Sequence, residues 1–305
     1  MKIKNKFYAF SLIELSVVIL IIGILVIGIT KGSRIIAESR LKSAKQLTAS
    51  SPVNSIEGIT LWLDATNKDN IATGNAGSGV YGNASDNDDV TNWKSQNPQV
   101  TNQNILSAIT ASRPKYLAKG IGGLPTLSFD GSNSYLDTLT TPLQSGAKEL
   151  TYVVVWQALL AGGGVYRSII DQNCNSTGPA CIQKRGSLLI MNDGSYGFIG
   201  EFNDFYALQA PTKTPVITVM TFTTNTNYVK LAHNSLTYNY SGNASGSNQF
   251  LTNAIFVVGA NGRSPKAEFF NGYISEVIVF DRALKASEAK SVVEYLSRKY
   301  SIKVS

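Results

Sequence analysis

The sequence predicts a mainly β protein carried on a long N-terminal helix. Three observations predict it: an otherwise uncharged apolar run near the start that holds a single acid, about 250 residues of short apolar runs bounded by turn formers, and one stretch of helical periodicity at the C-terminal end. Of 305 residues 26 are Gly and only 20 are acids, a balance that suits many strands and turns.

The first element is the run from Phe10 to Ile29. Its about 20 residues make roughly 30 Å of helix, the thickness of a bilayer's hydrocarbon layer. Lys2, Lys4 and Lys6 precede it and Lys31 and Arg34 follow, so the amino end is expected on the cytoplasmic side and the remainder outside it. A cleaved secretory signal has an apolar core of about 7 to 15 residues and then a small-x-small site. This run instead passes into "KGSRIIAESRLKSAKQL". A plain membrane anchor explains the length but not Glu14, because a carboxylate deep in a membrane helix costs about 2.5 to 3.5 kcal/mol, less near the interface, and asks for a partner. Beyond the run, Ile35, Ile36, Leu41 and Leu47 alternate with Arg34, Glu38, Arg40, Lys42 and Lys45, extending an amphipathic helix to about Leu47. Pro52 in "TASSPVNS" ends it, and the domain boundary is expected there.

The strands follow. "GITLWLDA", "PTLSFDG", "ELTYVVVWQA", "YRSIIDQ", "GSLLIMN", "PVITVMTFTT", "NYVKLAH", "LTYNY", "AIFVVGA" and "GYISEVIVFDR" are short, apolar and bounded by turn residues. In the sixth, Thr218, Met220 and Phe222 alternate with Val219, Thr221 and Thr223, the pattern of two stacked sheets with one dry face each. The last element is "SEAKSVVEYLSRKY", where Val292, Val293, Leu296 and Tyr300 fall at spacings of three and four. A start at Lys285 puts Glu288 in the first turn but offers no Ser or Thr for the reciprocal cap.

Chemistry-bearing residues are few. A retaining glycosidase needs two carboxyls about 5 Å apart, commonly from closely spaced acids on one strand face. Glu201 and Asp204 in "GEFNDF" are three apart and point to opposite faces of a strand, and Glu276 and Asp281 are five apart near an expected core strand. The one histidine, His233, ends a strand and reads as a surface or turn residue. Catalysis is not expected. Asp86, Asp88 and Asp89 in "NASDNDDVTN" offer oxygens to a candidate Ca²⁺ site, with a solvated polar turn the alternative, since the glycine and terminal Glu of a dedicated calcium loop are missing. Trp156, Tyr166, Tyr196, Phe202, Phe205 and Tyr206 are either core, as strand aromatics usually are, or stacking surfaces for sugar. The rim of choice is Glu201, Phe202, Asp204, Phe205 and Tyr206. Cys174 and Cys181 enclose "NSTGPA". In an oxidising compartment they are expected to form a disulfide worth about 2.5 kcal/mol on the chain-entropy estimate, two reduced thiols being the alternative. The formal charge of +7 is scattered in the β region and concentrated beside the membrane segment, which excludes a nucleic-acid footprint and makes anionic lipid the nearer partner.

The segment "KFYAFSLIELSVVILIIGILVI" resembles the prepilin leader of type IV pilins and of the pseudopilins of type II secretion. The resemblance implies a leader over residues 1–9, cut by a prepilin peptidase between Ala9 and Phe10. It further implies methylation of the new amine and a helix and linker over 10–51. Glu14 then pairs with the terminal amine of a neighbouring subunit during filament assembly. Ala9 stands where the family generally has Gly, and the mid-helix Pro of major pilins is replaced by Gly23 and Gly28, which favours a minor pilin or pseudopilin.

A second resemblance covers about residues 56–305 of the domain placed at 52–305. "LWLDA", "VTNWKSQN", "RPKY", "GIGGLPTLSFDGSNSYL" and "FFNGYISEVIVFDRALKASEAKSVVEYLSRKY" follow the order of bacterial laminin G-like domains of the concanavalin A-like class. It implies a two-sheet jelly-roll β-sandwich with a short C-terminal helix. Lys94 and Ser95 stand where the family usually has an acid after the Trp. Such sandwiches host lectins, adhesion modules and polysaccharide-cleaving enzymes alike. Together the resemblances imply a pilin-like subunit with a lectin-like adhesive head for a glycan or surface protein. It would be made as an inner-membrane precursor and then placed in a surface pilus or periplasmic pseudopilus. The rivals are an uncleaved membrane-anchored binding protein and a polysaccharide-cleaving enzyme.

Overall fold

In the computed structural model of the protein, the described residues are 12–74, 79–99, 105–138, 147–173, 185–200, 204–244 and 254–305. The expected cut between Ala9 and Phe10, the pair Cys174 and Cys181, and the rim residues Glu201 and Phe202 lie outside them. The chain divides into two compact units, Met1–Ser43 and Ala44–Ser305. Helix α1 (Leu12–Ala49), 38 residues long, begins in the first, and its last turns belong to the second. The division falls inside the helix because Ala44 is buried in a cluster of the β unit and Leu47 packs against that cluster.

Strands fill the second unit: β1 (Ile59–Asp64), β2 (Ile71–Thr73), β3 (Val80–Tyr81), β4 (Val90–Lys94), β5 (Ile105–Ser107) and β6 (Lys115–Leu117). They continue with β7 (Thr126–Asp130), β8 (Leu136–Thr138), β9 (Glu149–Ala158), β10 (Arg167–Asn173), β11 (Gly186–Ile190) and β12 (Ser195–Ile199). The last are β13 (Phe205–Gln209), β14 (Val216–Thr223), β15 (Tyr228–His233), β16 (Tyr240–Asn243), β17 (Ile255–Val258) and β18 (Asn271–Phe280), followed by helix α2 (Ala286–Tyr300). They form two sheets. The first runs β16-β15-β14-β9-β18-β7-β6, with β1 on β18, and the second β13-β12-β11-β10-β17-β8-β5-β4-β2-β3. Neighbours distant in sequence pair antiparallel, as β9 does with β14 and with β18. The fold is the two-sheet sandwich that the sequence predicts, with α2 at its end.

Alternation decides what each face buries. On β9, Leu150, Tyr152, Val154 and Trp156 enter the core between the sheets, while Val153 and Val155 face the opposite way into a second cluster with Val292, Val293, Leu296 and Tyr300 of α2. The expectation of one dry face per sheet is therefore corrected for the first sheet. Met220 and Phe222 of β14 lie in the inter-sheet core, Ile217 and Val219 lie under the helix, and both faces are dry because α2 covers the outer one. "LTYNY" is a second correction: only its last residue, Tyr240, is in a strand, because Leu236 turns aside to donate its N–H to the Ser305 carbonyl. The cap of α2 is half made, as expected. The Lys285 N–H donates to Glu288 Oε2 at 2.8 Å, and Arg282 grips the same carboxylate at 2.7 and 2.9 Å. Gly122 is demanded by its surroundings, since its φ is +62° and a Cβ there would stand 2.2 Å from the Tyr300 carbonyl oxygen.

One buried polar cluster joins four elements. Lys299 of α2, itself 3% exposed, donates to Asp64 Oδ2 of β1 at 2.6 Å and to Glu276 Oε2 of β18 at 2.8 Å. It also donates to the Thr48 hydroxyl in the last turn of α1 at 2.8 Å. Glu276 is filled on both oxygens, receiving Trp62 Nε1 at 2.8 Å, Tyr295 OH at 2.9 Å and Tyr300 OH at 2.9 Å besides Lys299. Asp64 Oδ1 accepts from the Thr66 N–H and hydroxyl at 2.8 and 2.7 Å. The open carbonyls at the end of α1 are closed by Asn54, whose Nδ2 reaches the Thr48 and Ala49 oxygens at 3.2 and 3.0 Å. Lys299→Met leaves two buried carboxylates without their cation and is expected to cost about 3 to 5 kcal/mol. A loss of unfolding free energy well under 1 kcal/mol, read from denaturant titration of the variant, would contradict the reading of this cluster as the fold's polar centre.

Candidate functional site

Two regions are candidates for function, the apolar part of α1 and the outer face of the second sheet. Along α1 every described side chain from Leu12 to Val26 is exposed, Leu12 to 86% and Ile13 to 73%. A helix apolar on all sides needs lipid or other helices around it. Glu14 sits in the first turn of the described helix. Among the described residues no helix is long and apolar enough to cross a membrane. The described side chains of this run stop at Val26, and the sequence carries it uncharged to Thr30. Ile35 and Ile36 of the expected amphipathic stretch are exposed as well, beside an Arg34–Glu38 ion pair of 2.9 Å on the surface.

The outer face of the second sheet is built by register. Ile170, Leu188 and Ile190 enter the inter-sheet core, so their strand neighbours Asp171 and Ser187 point the other way. There Arg185 is buried among acceptors. Its Nε lies 3.1 Å from Asp171 Oδ1 and 2.7 Å from Ser187 Oγ, and its Nη2 donates to Ser168 Oγ at 3.0 Å and pairs with Glu268 Oε2. The Ser187 hydroxyl donates to Asp171 Oδ1, and the Gly262 N–H closes Asp171 Oδ2 at 2.8 Å. Burial works against the charge of Arg185, but the two carboxylates outweigh it and raise its pKa. Burial likewise pushes the Glu268 carboxyl up, and Arg185 wins again, holding it below its ordinary value. Both acids are thus tied to one cation. Next to them Asn173, 1% exposed, has no partner for either amide atom.

Of the expected rim, Asp204 is half-buried, accepts the Gly200 N–H at 3.1 Å and is raised by burial. Phe205 packs against the core, and Tyr206 is 51% exposed. Trp156 and Tyr196 are buried in the inter-sheet core, edge to face at 5.2 Å, whereas Tyr166 is exposed. The expected surface histidine is corrected. His233 is half-buried, with Nδ1 against the Tyr196 hydroxyl, because the end of β15 lies over the core rather than in a free turn, and burial lowers its pKa.

The three acids of the candidate Ca²⁺ loop each serve a protein donor. Asp86 takes the Ala118 N–H at 2.7 Å, Asp88 the Ser85 N–H at 2.8 Å, and Asp89 the Lys115 ammonium at 2.6 Å. Among the described residues no group of three or more His, Cys, Asp or Glu is gathered to hold a metal.

The clusters around Lys299 and Arg185 were not foreseen. The signal was present: Lys299 falls on the apolar stripe of α2 with Leu296, and Glu276 interrupts the apolar strand "ISEVIVF". A charge at a core-facing position requires a partner.

Residues 4–30 match the family described as the prokaryotic N-terminal methylation motif. No curated protein matches the chain in sequence. Among solved structures, a GH54 α-L-arabinofuranosidase soaked with a cyclic sulfate inhibitor is similar at 12% identity and a TM-score of 0.56, over 79% of this chain and 63% of that one. The Ruminococcus gnavus IT-sialidase CBM40 bound to α2,3 sialyllactose matches at 16% identity and 0.39, over 48% of this chain and 83% of that one. The Trypanosoma rangeli sialidase in complex with 2,3-difluorosialic acid matches at 13% and 0.48, over 86% and 38%. The first likeness shows a shared fold. The chain therefore carries a prepilin-type methylation motif ahead of a β-sandwich.

Acid tests the electrostatics. Burial alone would raise the Asp64 carboxyl, but Lys299 and the Thr66 donors hold it below its ordinary value. Asp130 is opposed by burial yet brought to about 2 by the N–H groups of residues 132–134 and the Ser134 hydroxyl. Carboxyls lowered on folding add stability that is complete above their unfolded value near pH 4 and is lost as pH falls through the folded value. Glu276, Asp204 and Asp281 are raised by burial and act in the opposite sense, so the test is the difference between two proteins: the urea midpoint should fall less steeply between about pH 4 and pH 2 in Glu268→Gln than in the unaltered protein. An equal or steeper fall in the variant would contradict these assignments.

Proposed function

We propose that the chain is a pilin-like subunit, a minor pilin or pseudopilin, whose N-terminal helix joins a filament and whose sandwich is a lectin-like adhesive head. The observation that carries this reading is the methylation motif over residues 4–30 on a helix that is apolar all round. In this reading a prepilin peptidase cuts between Ala9 and Phe10 while the precursor lies in the inner membrane. The cut creates an amine about one helical turn from Glu14. Two unit charges 4 Å apart attract by about 4 kcal/mol at an effective dielectric of 20, which offsets much of the penalty for an acid in lipid. Glu14 then docks against the terminal amine of an adjoining subunit and sets its axial register.

Head size bears on position. A 250-residue domain has a radius of gyration of about 18 Å, so the head is several times wider than the roughly 10 Å helix that carries it. Such a head crowds its neighbours in a closely staggered fibre, which favours a tip or minor place. Exposed Tyr206 beside Asp204 supports a sugar-contacting rim on the second sheet, with a surface glycan as the ligand class.

Intact-mass measurement of protein from filaments should give a chain that begins at a methylated Phe10; a chain retaining residues 1–9 would favour the uncleaved anchor. Glu14→Gln should still be cut but should drop out of filaments by tenfold or more, from the loss of about 1.4 kcal/mol or more of pairing energy. Normal incorporation would contradict the docking role.

A further inference from the structure

Two buried arginines lie at the second sheet, Arg167 at the start of β10 and Arg185 just before β11, and the fold treats them differently. Arg185 is matched by Asp171 and Glu268. Arg167, the first residue of β10, is 8% exposed, its Nε has no hydrogen-bond partner, and no carboxylate among the described residues pairs with it. Burial alone acts on its guanidinium, lowering its pKa. It lies opposite Ile190 in the β10–β11 ladder, and Ile190 enters the inter-sheet core. The side chain therefore turns inward at the end of the sandwich where the β9–β10 loop closes. An uncompensated buried cation is costly, and such a group commonly has a ligand or a task.

The loop that leads into Arg167 offers apolar and open surface. The loop before Arg167 exposes Leu160 to 54%, Val165 to 46% and Tyr166 to 41%. Between them Gly162, Gly163 and Gly164 all have φ between +70° and +78°, and a Cβ at Gly163 or Gly164 would meet nothing within 4 Å, so the backbone is open to close approach. The loop is held in place by the Gly164 N–H on the Asn192 carbonyl at 3.0 Å. A guanidinium fork matches a carboxylate in bidentate fashion, and an exposed aromatic edge supports the apolar face of a pyranose.

We propose that Arg167 is the anion-binding group of a saccharide site at the β9–β10 end of the head, and that the site takes the carboxylate of an acidic sugar. This deepens the reading of the sandwich as a glycan-binding head and rests on it.

Calorimetry on the full-length protein in detergent micelles tests it, with methyl β-D-glucuronide, methyl β-D-glucoside and acetate as probes and Arg167→Met and Arg167→Lys as variants. The glucuronide should bind at least about tenfold more tightly than either the glucoside or acetate. Arg167→Met should weaken it by about 10- to 100-fold, as expected for loss of a charge-assisted pair, with Arg167→Lys in between. The melting temperature of Arg167→Met without ligand should hold or rise, because the variant removes an uncompensated charge. A fall of several degrees would make Arg167 a structural residue and overturn the proposal. So would equal affinity for wild type and Arg167→Met, absence of glucuronide binding, or acetate binding as tightly as the glucuronide. Equal binding of glucuronide and glucoside would sink the role of Arg167 and leave the glycan-binding head standing, and filament assembly, read through Glu14→Gln, is independent of every arm.

Discussion

The ammonium of Lys299, buried between Asp64 and Glu276, is the interaction on which the rest of the head depends. It brings together the last turn of α1 through Thr48, the first strand through Asp64 and Trp62, the central strand β18 through Glu276, and the C-terminal helix that supplies Tyr295 and Tyr300. Desolvating three charges is expensive, and such a cluster adds little net stability against an apolar replacement. Its effect is on geometry: every donor and acceptor has a partner in one arrangement, and a slip of α2 by one residue would strand all of them. The apolar cluster around Val292, Val293 and Leu296 supplies the burial, and the polar cluster fixes the register in which it is made.

That register links the two ends of the chain. The N-terminal helix hands over to the head at Ala44–Ala49, where Asn54 closes the helix carbonyls and Thr48 enters the Lys299 cluster. Placing the chain's last helix over the junction ties its integrity to completion of the whole fold.

Much of the architecture was legible in the sequence, and the limits have physical causes. The boundaries of β9 and the start of α2 at Lys285 came from long, strongly periodic stretches, where pattern outweighs context. Short strands such as β2, β5 and β8 carry three residues each, too few for a period, and their existence depends on neighbours that the linear sequence does not reveal. "LTYNY" has strand composition but is diverted by the C-terminal tail. For the candidate sites, Glu14 stands out in the sequence because an acid in a greasy run is conspicuous, and its docking role is a proposal. Lys299 and Glu276 stand out as charges on apolar stretches, but their pairing with Asp64 does not, since only the fold brings residues from three elements to within 3 Å. Arg167 was hidden for the opposite reason: it is defined by a partner that the strand pairing does not provide.

Native-state hydrogen exchange of the full-length protein, read at the amides of Thr48 and Ala49, tests the central claim most directly. If the Lys299 cluster makes the end of α1 part of the head, these amides exchange only as fast as β9 and β18 open, and in Lys299→Met they exchange before those strands do. Fast exchange at Thr48 and Ala49 in the unaltered protein, while the strands stay protected, would contradict the account.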